Sequence, residues 1–126
     1  VNASVRIAPG VALVGLDDAL WRVPNLQTAL AGTKGDRLVF LFHEPGLARA
    51  LEKTPFILGL AGHSHGGQVR LPFKGAVVLP LACGGLQYGR YETPGGPVYV
   101  TSGIGTWAAR VRFLCRPEIV VFDPAA

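Results

Sequence analysis

The stretch Gly62-His63-Ser64-His65-Gly66-Gly67-Gln68 places two imidazoles one residue apart, on a turn that carries few other side chains. The apolar run before it, Phe56 to Ala61, has the length and the β-favouring composition of a buried strand. We therefore expect this strand to deliver both histidines into a loop at its carboxyl end. That edge of an α/β sheet is where ligands commonly bind.

The third histidine of the chain follows a similar run. His43 comes directly after Leu38 to Phe42, and a short predicted helix, Leu47 to Lys53, separates this run from the next strand. A strand, a helix and a strand within so few residues predict a parallel β-α-β unit. Because parallel strands end at the same edge, we expect His43 to converge with His63 and His65.

Three converging imidazoles indicate a metal site, since neutral imidazole is a common ligand for divalent metals and the flanking glycines permit close approach. Three imidazoles around one zinc ion with an open position would make a mononuclear hydrolase. Alternatively, they hold a structural or sensory metal in a non-catalytic interaction module. A two-metal phosphoester site needs carboxylates as well, and Asp17, Asp18 and Glu44 lie near the same predicted edge. Acidic residues there also cap helices and close turns, so spacing alone leaves these alternatives open.

Composition limits the classes of function. The chain has 126 residues, 49% of them hydrophobic, which predicts one domain at most with a real core. Its net charge of +4 is spread without a basic run, so no nucleic-acid tract is evident. No apolar segment reaches the roughly 18 residues of a membrane span, and the start lacks a signal-peptide pattern. Cys83 and Cys115 match no metal-binding spacing and are predicted to be buried free thiols.

The remaining sequence predicts a fold of the α/β class that leans towards α+β. Val5 to Ile7 and Val11 to Gly15 read as a hairpin around Pro9-Gly10, and Pro24 to Gly32 as a short helix. After Gln68 the pattern changes to short strands of an antiparallel or mixed sheet, separated by glycine and proline turns. These strands are expected at Val69 to Pro72, Ala76 to Pro80, Gly95 to Gly103 and Ile119 to Phe122, with Tyr88 to Glu92 approaching the Pro94-Gly95-Gly96 turn.

Several stretches, taken in chain order, resemble the C-terminal half of the calcineurin-like metallophosphoesterases: Leu41-Phe42-His43-Glu44-Pro45, Leu60 to Gln68, Tyr99 to Gly105, Arg112, and Pro117-Glu118-Ile119. The nearest subgroup is the bacterial phosphohydrolases that carry Gly-His-Thr/Ser-His-Gly-Gly-Gln. Leu13 to Asp18 also looks like the strand and turn that precede this half. The resemblance covers nearly the whole chain.

The resemblance implies a site with two divalent metal ions, manganese, iron or zinc. His43 and His63 would bind the second metal and His65 the first. A hydroxide that bridges the metals in this family attacks a phosphomonoester or phosphodiester, so no side-chain nucleophile is required. Weaker candidates for substrate contact are Gly67, Gln68 and Arg112, and Tyr88 or Tyr91 as pocket residues, although a structural role is the alternative for each.

The chain also departs from the family pattern. The Asp-x-His, Gly-Asp and Gly-Asn-His motifs of the family's N-terminal half do not occur in it. We therefore expect residues 1–126 to be a C-terminal half domain, one part of a β-sandwich flanked by helices, and inactive alone. Its apolar sheet face should need cover from the N-terminal half or from a second copy. The expected substrate is a phosphoester small molecule or lipid, and the compartment is unknown, with a bacterial cytoplasmic or membrane-peripheral location favoured.

Overall fold

A computed structural model describes residues 1–123, which form one mixed sheet of six strands and a separate two-stranded ribbon. The strands are β1 (Ala3–Ala8), β2 (Val11–Gly15), β3 (Arg37–Leu41), β4 (Leu58–Ala61), β5 (Arg70–Leu71), β6 (Gly75–Ala76), β7 (Gly89–Thr93) and β8 (Gly96–Val100). One short α-helix, α1 (Leu26–Ala29), and two 3₁₀ helices, Pro45–Leu51 and His65–Gly67, complete the described elements. These elements confirm the α/β class.

The six strands lie in the order β1-β2-β3-β4-β8-β7. The four central strands, β2, β3, β4 and β8, pair in parallel, and the two edge strands pair antiparallel with their neighbours. The parallel pairing of β3 and β4 confirms the predicted crossover. Its helix is of the 3₁₀ type and begins at Pro45 rather than Leu47, because proline fits the first position of a helix.

One face of the sheet carries the core. Phe40, Val14, Val98 and Val100 are fully buried there, together with Leu51 of the crossover helix. The ring of Phe40 meets that of Phe56 edge to face, with centroids 5.5 Å apart. Each fully buried side chain of this size contributes roughly 1.5 to 3 kcal/mol to stability. This core holds β3 and β4 in register, and therefore fixes where their carboxyl ends lie.

The opposite face of the sheet is open among residues 1–123. Leu41 is 50% exposed, and Leu60 and Tyr99 are only partly buried on the same side. They line an apolar groove of about 750 Å³. The near-continuous apolar run Leu38 to Phe42 predicts a strand covered on both faces, whereas within residues 1–123 only one face of β3 is covered. The open side is an apolar sheet face of the kind expected to need cover from the N-terminal half or from a second copy.

The segment Ile119 to Phe122 was expected to form a strand and does not. Ile119, Val120 and Phe122 line the open groove, and the Phe122 ring meets Tyr99 edge to face at 5.5 Å. A sheet face offers side chains rather than backbone N–H and C=O groups, so the segment has no ladder to join.

Several other elements are shorter than predicted, among them β4, β5 and β8. The largest differences are at α1 and β6. The helix expected over Pro24 to Gly32 reduces to α1, which begins after Asn25, whose side chain accepts a hydrogen bond from Thr28 N at 2.9 Å. Gly32 has a φ of +78°, which ends further helical growth. The strand expected over Ala76 to Pro80 is only the two-residue β6. In the part of the chain that is described, no helix is both long and apolar enough to cross a membrane.

Candidate functional site

The three histidines line one cavity of about 490 Å³ at the carboxyl edge of β3 and β4. His43 follows β3 after one residue, and His63 and His65 follow β4. The Nδ1 atom of His63 lies 3.0 Å from Nε2 of His43, and the two rings meet at 66° with centroids 4.7 Å apart. The convergence expected from the parallel crossover is therefore present.

A backbone contact selects the tautomer of the neutral His63 ring. Its Nε2 atom lies 2.7 Å from the carbonyl oxygen of Leu81, and a carbonyl can only accept a hydrogen bond. In the neutral ring the proton therefore sits on Nε2 and the lone pair on Nδ1, which faces His43. Metal-binding histidines are commonly oriented in this way, by donating their other N–H to a backbone carbonyl.

The His43 and His63 pair fits two ligands of one metal ion. Nitrogen atoms that bind one ion at about 2.0 to 2.1 Å are themselves about 3 Å apart when the bond angle is near 90°. However, no group of three or more His, Cys, Asp and Glu side chains within residues 1–123 is arranged to hold a metal ion. The described residues thus supply a two-ligand pair and not a complete coordination shell.

The histidine loop has a strained backbone. Four successive residues, His65 to Gln68, have positive φ angles, and His63 has a φ of +62°. A left-handed conformation costs roughly 1 to 2 kcal/mol for a residue with a side chain, and such strain tends to occur at functional sites. The strained backbone at His63, His65 and Gln68 indicates that contacts with neighbouring segments hold the loop in this conformation.

Glycine is required at two positions of the loop. A Cβ atom on Gly67 would lie 2.3 Å from Cβ of Ala76, and one on Gly66 would lie 2.7 Å from Sγ of Cys115. Gly62 differs, because a Cβ there would meet no atom within 4 Å. The glycine pair after His65 therefore allows β6 and the C-terminal segment to pack directly against the loop. Gly67 was a candidate for substrate contact, and its observed role is this close packing.

His65 is partly buried. Burial lowers the pKa of its imidazole, a hydrogen bond with the Gly105 backbone raises it, and the Arg112 charge lowers it further, with a net shift below the usual value. Its carbonyl oxygen accepts hydrogen bonds from Gln68 N and Cys115 Sγ at 3.0 and 3.3 Å. The ring is therefore neutral at pH 7 and retains a lone pair for a ligand.

The side chain of Gln68 is bound to a neighbouring loop. Its Nε2 donates to the carbonyl oxygens of Ala109 and Val111 at 3.1 and 3.2 Å, and its Oε1 accepts from the backbone N–H of Trp107. This amide fastens the loop over residues 107–111 to the histidine loop. As a result Trp107, which no motif in the sequence indicates, forms part of the wall of the histidine cavity.

Arg112 makes similar contacts. Its guanidinium donates to the carbonyl oxygens of Ser102 at 2.7 Å, Gly103 at 3.2 Å and His65 at 3.3 Å, and also to Gly105 O. The predicted contacts of Gln68 and Arg112 with substrate stay predictions. In this structure both side chains hold backbone segments around the site.

The carboxylates near the site stabilise its opposite wall. Glu44 is fully buried and accepts hydrogen bonds from Ala19 N and Leu20 N at 3.1 Å each. Desolvation raises the pKa of Asp18, but hydrogen bonding with Glu44 and from the N–H groups of Leu20 and Trp21 lowers it by more, so the net pKa is below the usual value. Asp17 accepts from Asn2 Nδ2 at 3.1 Å. Asp18 therefore closes the turn after β2, as acidic residues commonly do there, and Asp17 holds the N-terminal segment through Asn2.

The tyrosines do not reach the histidine cavity. The hydroxyl of Tyr88 donates to Glu118 at 3.0 Å, and that of Tyr91 accepts from Gln87 N at 2.9 Å. The suggestion that they line the pocket is wrong, because the described walls of the cavity come from other residues: Asp18, Leu20, Trp21, Leu79, Pro80, Leu81 and Trp107, beside the three histidines. Exposed apolar residues such as Leu81 gave no recognisable signal in the sequence.

Comparison with known proteins gives a consistent set of relatives. The chain is 37% identical over 114 residues to the metallophosphoesterase YkuE of Bacillus subtilis, a match that covers 89% of this chain and 40% of the relative. It is 32% identical over 111 residues to the phosphodiesterase YaeI of Escherichia coli, covering 88% of this chain and 40% of that protein.

A third relative is the UDP-2,3-diacylglucosamine pyrophosphatase LpxG of Chlamydia muridarum, 30% identical over 135 residues, which cover 95% of this chain and 39% of that protein. The chain therefore spans about 40% of the length of these relatives. No family model matches the chain, and no solved structure matches it. The relatives that cover it are thus named as metallophosphoesterases, a phosphodiesterase and a pyrophosphatase, all of them hydrolases.

Proposed function

We propose that this chain is the C-terminal half of the catalytic domain of a calcineurin-like metallophosphoesterase, and that it supplies one wall of a two-metal site. The observation that carries the proposal is the 3.0 Å approach of His63 Nδ1 to His43 Nε2, with the His63 proton held on the opposite nitrogen by Leu81 O. The names of relatives that match almost the whole chain support the same reaction class.

In this proposal His43 Nε2 and His63 Nδ1 each present a lone pair to one divalent ion, and His65 presents its neutral imidazole to the neighbouring ion. The two ions, manganese, iron or zinc, supply charge neutralisation at the phosphoryl group and activation of water when they are bound. The Leu81 carbonyl keeps His63 in the required tautomer. Arg112 and Gln68 hold the backbone of the site through hydrogen bonds to carbonyl oxygens.

The described residues hold fewer than three ligands in one group, so the remaining ligands have to come from outside them. We propose that the N-terminal half of the same protein provides them and covers the open face of the sheet beside Leu41, Leu60 and Tyr99. This half domain would then be inactive alone. Coverage by a second copy of the chain is the alternative, and the oligomeric state of the intact gene product distinguishes the two.

The proposed substrates are phosphomonoesters or phosphodiesters of a small molecule or lipid. One relative is named for a phosphodiesterase activity and another for hydrolysis of the pyrophosphate of UDP-2,3-diacylglucosamine. Both names describe cleavage at an esterified phosphate. We therefore favour a diester or pyrophosphate over a monoester for this chain.

The test is hydrolysis of bis-p-nitrophenyl phosphate by the intact gene product, with manganese added after chelation. We expect metal-dependent turnover, and a loss of at least 100-fold in kcat/KM for His43→Ala and for His63→Ala, since each removes a ligand. Turnover that survives chelation would contradict the proposal. One tightly bound zinc ion with no turnover would instead favour the non-catalytic three-histidine module. One bound zinc ion with activity would favour the mononuclear zinc hydrolase.

A further inference from the structure

A second concavity of about 320 Å³ adjoins the histidine cavity, and we call it the apolar crevice. It shares three lining residues with that cavity: His65, Pro80 and Trp107. Its other walls are mainly hydrophobic and include Val69, Val77, Val78 and Val111. The volume lies at the lower end of the range for ligand pockets. The two concavities are therefore adjacent, with a common wall at these residues.

The polar side chains that line the crevice are already engaged within the protein. The Gln68 amide makes hydrogen bonds to the backbone of Trp107, Ala109 and Val111. The hydroxyl of Ser64 is 1% exposed and accepts from Gly66 N at 3.1 Å. Apart from the His65 imidazole, which it shares with the histidine cavity, the crevice thus offers little to a polar or charged ligand group, and its complementary occupant is hydrocarbon.

The rim of the crevice carries apolar surface that is not yet buried. Val78 is 62% exposed and Trp107 is 57% exposed. Trp107 forms a wall of both concavities, so its apolar ring borders the histidine cavity and the crevice. Burial of such surface favours binding by roughly 25 cal/mol per Å².

We propose that the apolar crevice binds the hydrocarbon chain of the substrate, so that the substrate is an amphiphilic phosphoester with its phosphate at the histidines and an alkyl or acyl chain in the crevice. This inference rests on the proposed function for the position of the phosphate. Of the two proposed substrate classes, small-molecule and lipid phosphoesters, the crevice favours lipid phosphoesters. The chain's net charge of +4 favours the anionic head group of such a substrate.

The test measures the binding of non-hydrolysable alkylphosphonates to the intact gene product in the presence of manganese. The alkyl chains are methyl, butyl and octyl, and each compound is used below its critical micelle concentration. Isothermal titration calorimetry measures each dissociation constant. Each methylene that is buried strengthens binding up to roughly fourfold, so we expect octylphosphonate to bind at least tenfold more tightly than methylphosphonate. Equal affinity across the series would overturn the proposal.

Two substitutions at Val78 test whether the hydrocarbon chain binds in the apolar crevice. Val78→Trp fills the crevice and Val78→Asn makes its rim polar, and both should remove most of the dependence on chain length. Val5→Trp and Val5→Asn are the matched controls, because Val5 is exposed on edge strand β1 and lines neither concavity. A chain-length dependence that persists in Val78→Trp would place the hydrocarbon elsewhere and overturn the proposal.

Turnover of bis-p-nitrophenyl phosphate, measured on the same samples, separates this proposal from the proposed function. Chain-length-dependent binding without turnover would leave the crevice as a hydrocarbon site and contradict phosphoester hydrolysis. Turnover without chain-length dependence would support hydrolysis and overturn the crevice. Another segment of the protein or a second copy could instead fill the crevice. In that case Val78→Trp should lower the melting temperature, and the wild-type protein should bind all three phosphonates with equal affinity. That result would also overturn the proposal of a hydrocarbon site.

Discussion

Nε2 of His43 lies 3.0 Å from Nδ1 of His63, although the two residues are 20 positions apart in the chain. Two neighbouring parallel strands, β3 and β4, bring them together, because both strands end at the same edge. The Leu81 carbonyl then selects the tautomer of His63 that leaves Nδ1 free of a proton. This pair is the structural basis of the metal-dependent chemistry proposed above.

The first prediction concerns metal affinity. His63→Ala removes one of the two lone pairs that converge at this edge. Loss of a residue that only orients a metal ligand already lowers metal affinity roughly 10- to 100-fold, so we expect the affinity of the intact gene product for manganese or zinc to fall by at least that factor. Titration calorimetry after chelation measures it. Gln27→Ala, an exposed change on α1, is the control and should leave the affinity unchanged.

The second prediction concerns the glycine pair. Gly67→Ala brings a Cβ into Ala76 at a residue whose φ is +82°, so we expect the free energy of unfolding to fall by about 2 to 4 kcal/mol. Gly62→Ala is the matched control, since no atom lies within 4 Å of the added Cβ, and its effect should stay within about 0.5 kcal/mol. Urea denaturation of the intact gene product compares them, and equal effects would contradict the packing argument.

The third prediction concerns the amide of Gln68. Gln68→Glu replaces a donor to two carbonyl oxygens by a carboxylate oxygen that they repel. Loss of these hydrogen bonds should speed hydrogen exchange in residues 107–111 by roughly 5- to 100-fold. Mass spectrometry of the exchanged peptides measures the effect. Gln27→Glu introduces the same charge at an exposed position and should leave those peptides unchanged.

The fourth prediction concerns Glu44, which is fully buried and accepts from two backbone N–H groups of the turn after β2. Glu44→Ala removes the acceptor of Ala19 N and leaves Leu20 N with Asp18 Oδ1 as its acceptor, so we expect a loss of about 1 to 3 kcal/mol in the free energy of unfolding. Glu52→Ala, at an exposed position, should have little effect. Chemical denaturation gives both values, and an unchanged stability for Glu44→Ala would show that the turn does not depend on this carboxylate.

The fifth prediction concerns the thiols. Cys83 and Cys115 are free and buried, and burial raises the pKa of the Cys83 thiol above its usual value. Since the thiolate is the reactive form, a raised pKa means less thiolate at pH 8 and slow alkylation of native Cys83. Peptide mass spectrometry after iodoacetamide treatment should show modification of both thiols only after unfolding. Rapid labelling of Cys83 in the native protein would contradict its burial.

Local sequence patterns predicted much of the sheet. The hairpin around Pro9-Gly10, the parallel crossover from β3 to β4 and the turn between β7 and β8 are each specified by residues close together in the chain. The exceptions depend on distant partners. Ile119 to Phe122 has the composition of a strand, but its backbone meets a sheet face rather than a sheet edge, so it forms none.

The sequence by itself determined the histidine motif, the α/β class and the meeting of His43 with His63, because apolar periodicity and the geometry of parallel strands are local or pairwise properties. Only the tertiary structure decided the proton position on His63, the backbone contacts of Gln68 and Arg112, and the apolar crevice beside Trp107. The hydrogen bond of His63 with Leu81 joins residues 18 positions apart, and that of Gln68 with Val111 joins residues 43 positions apart. The hydrogen bonds of Arg112 with Gly105 and His65 join residues 7 and 47 positions apart. Residue spacing along the chain carries no record of such contacts, since their distances are set by how loops cross in three dimensions.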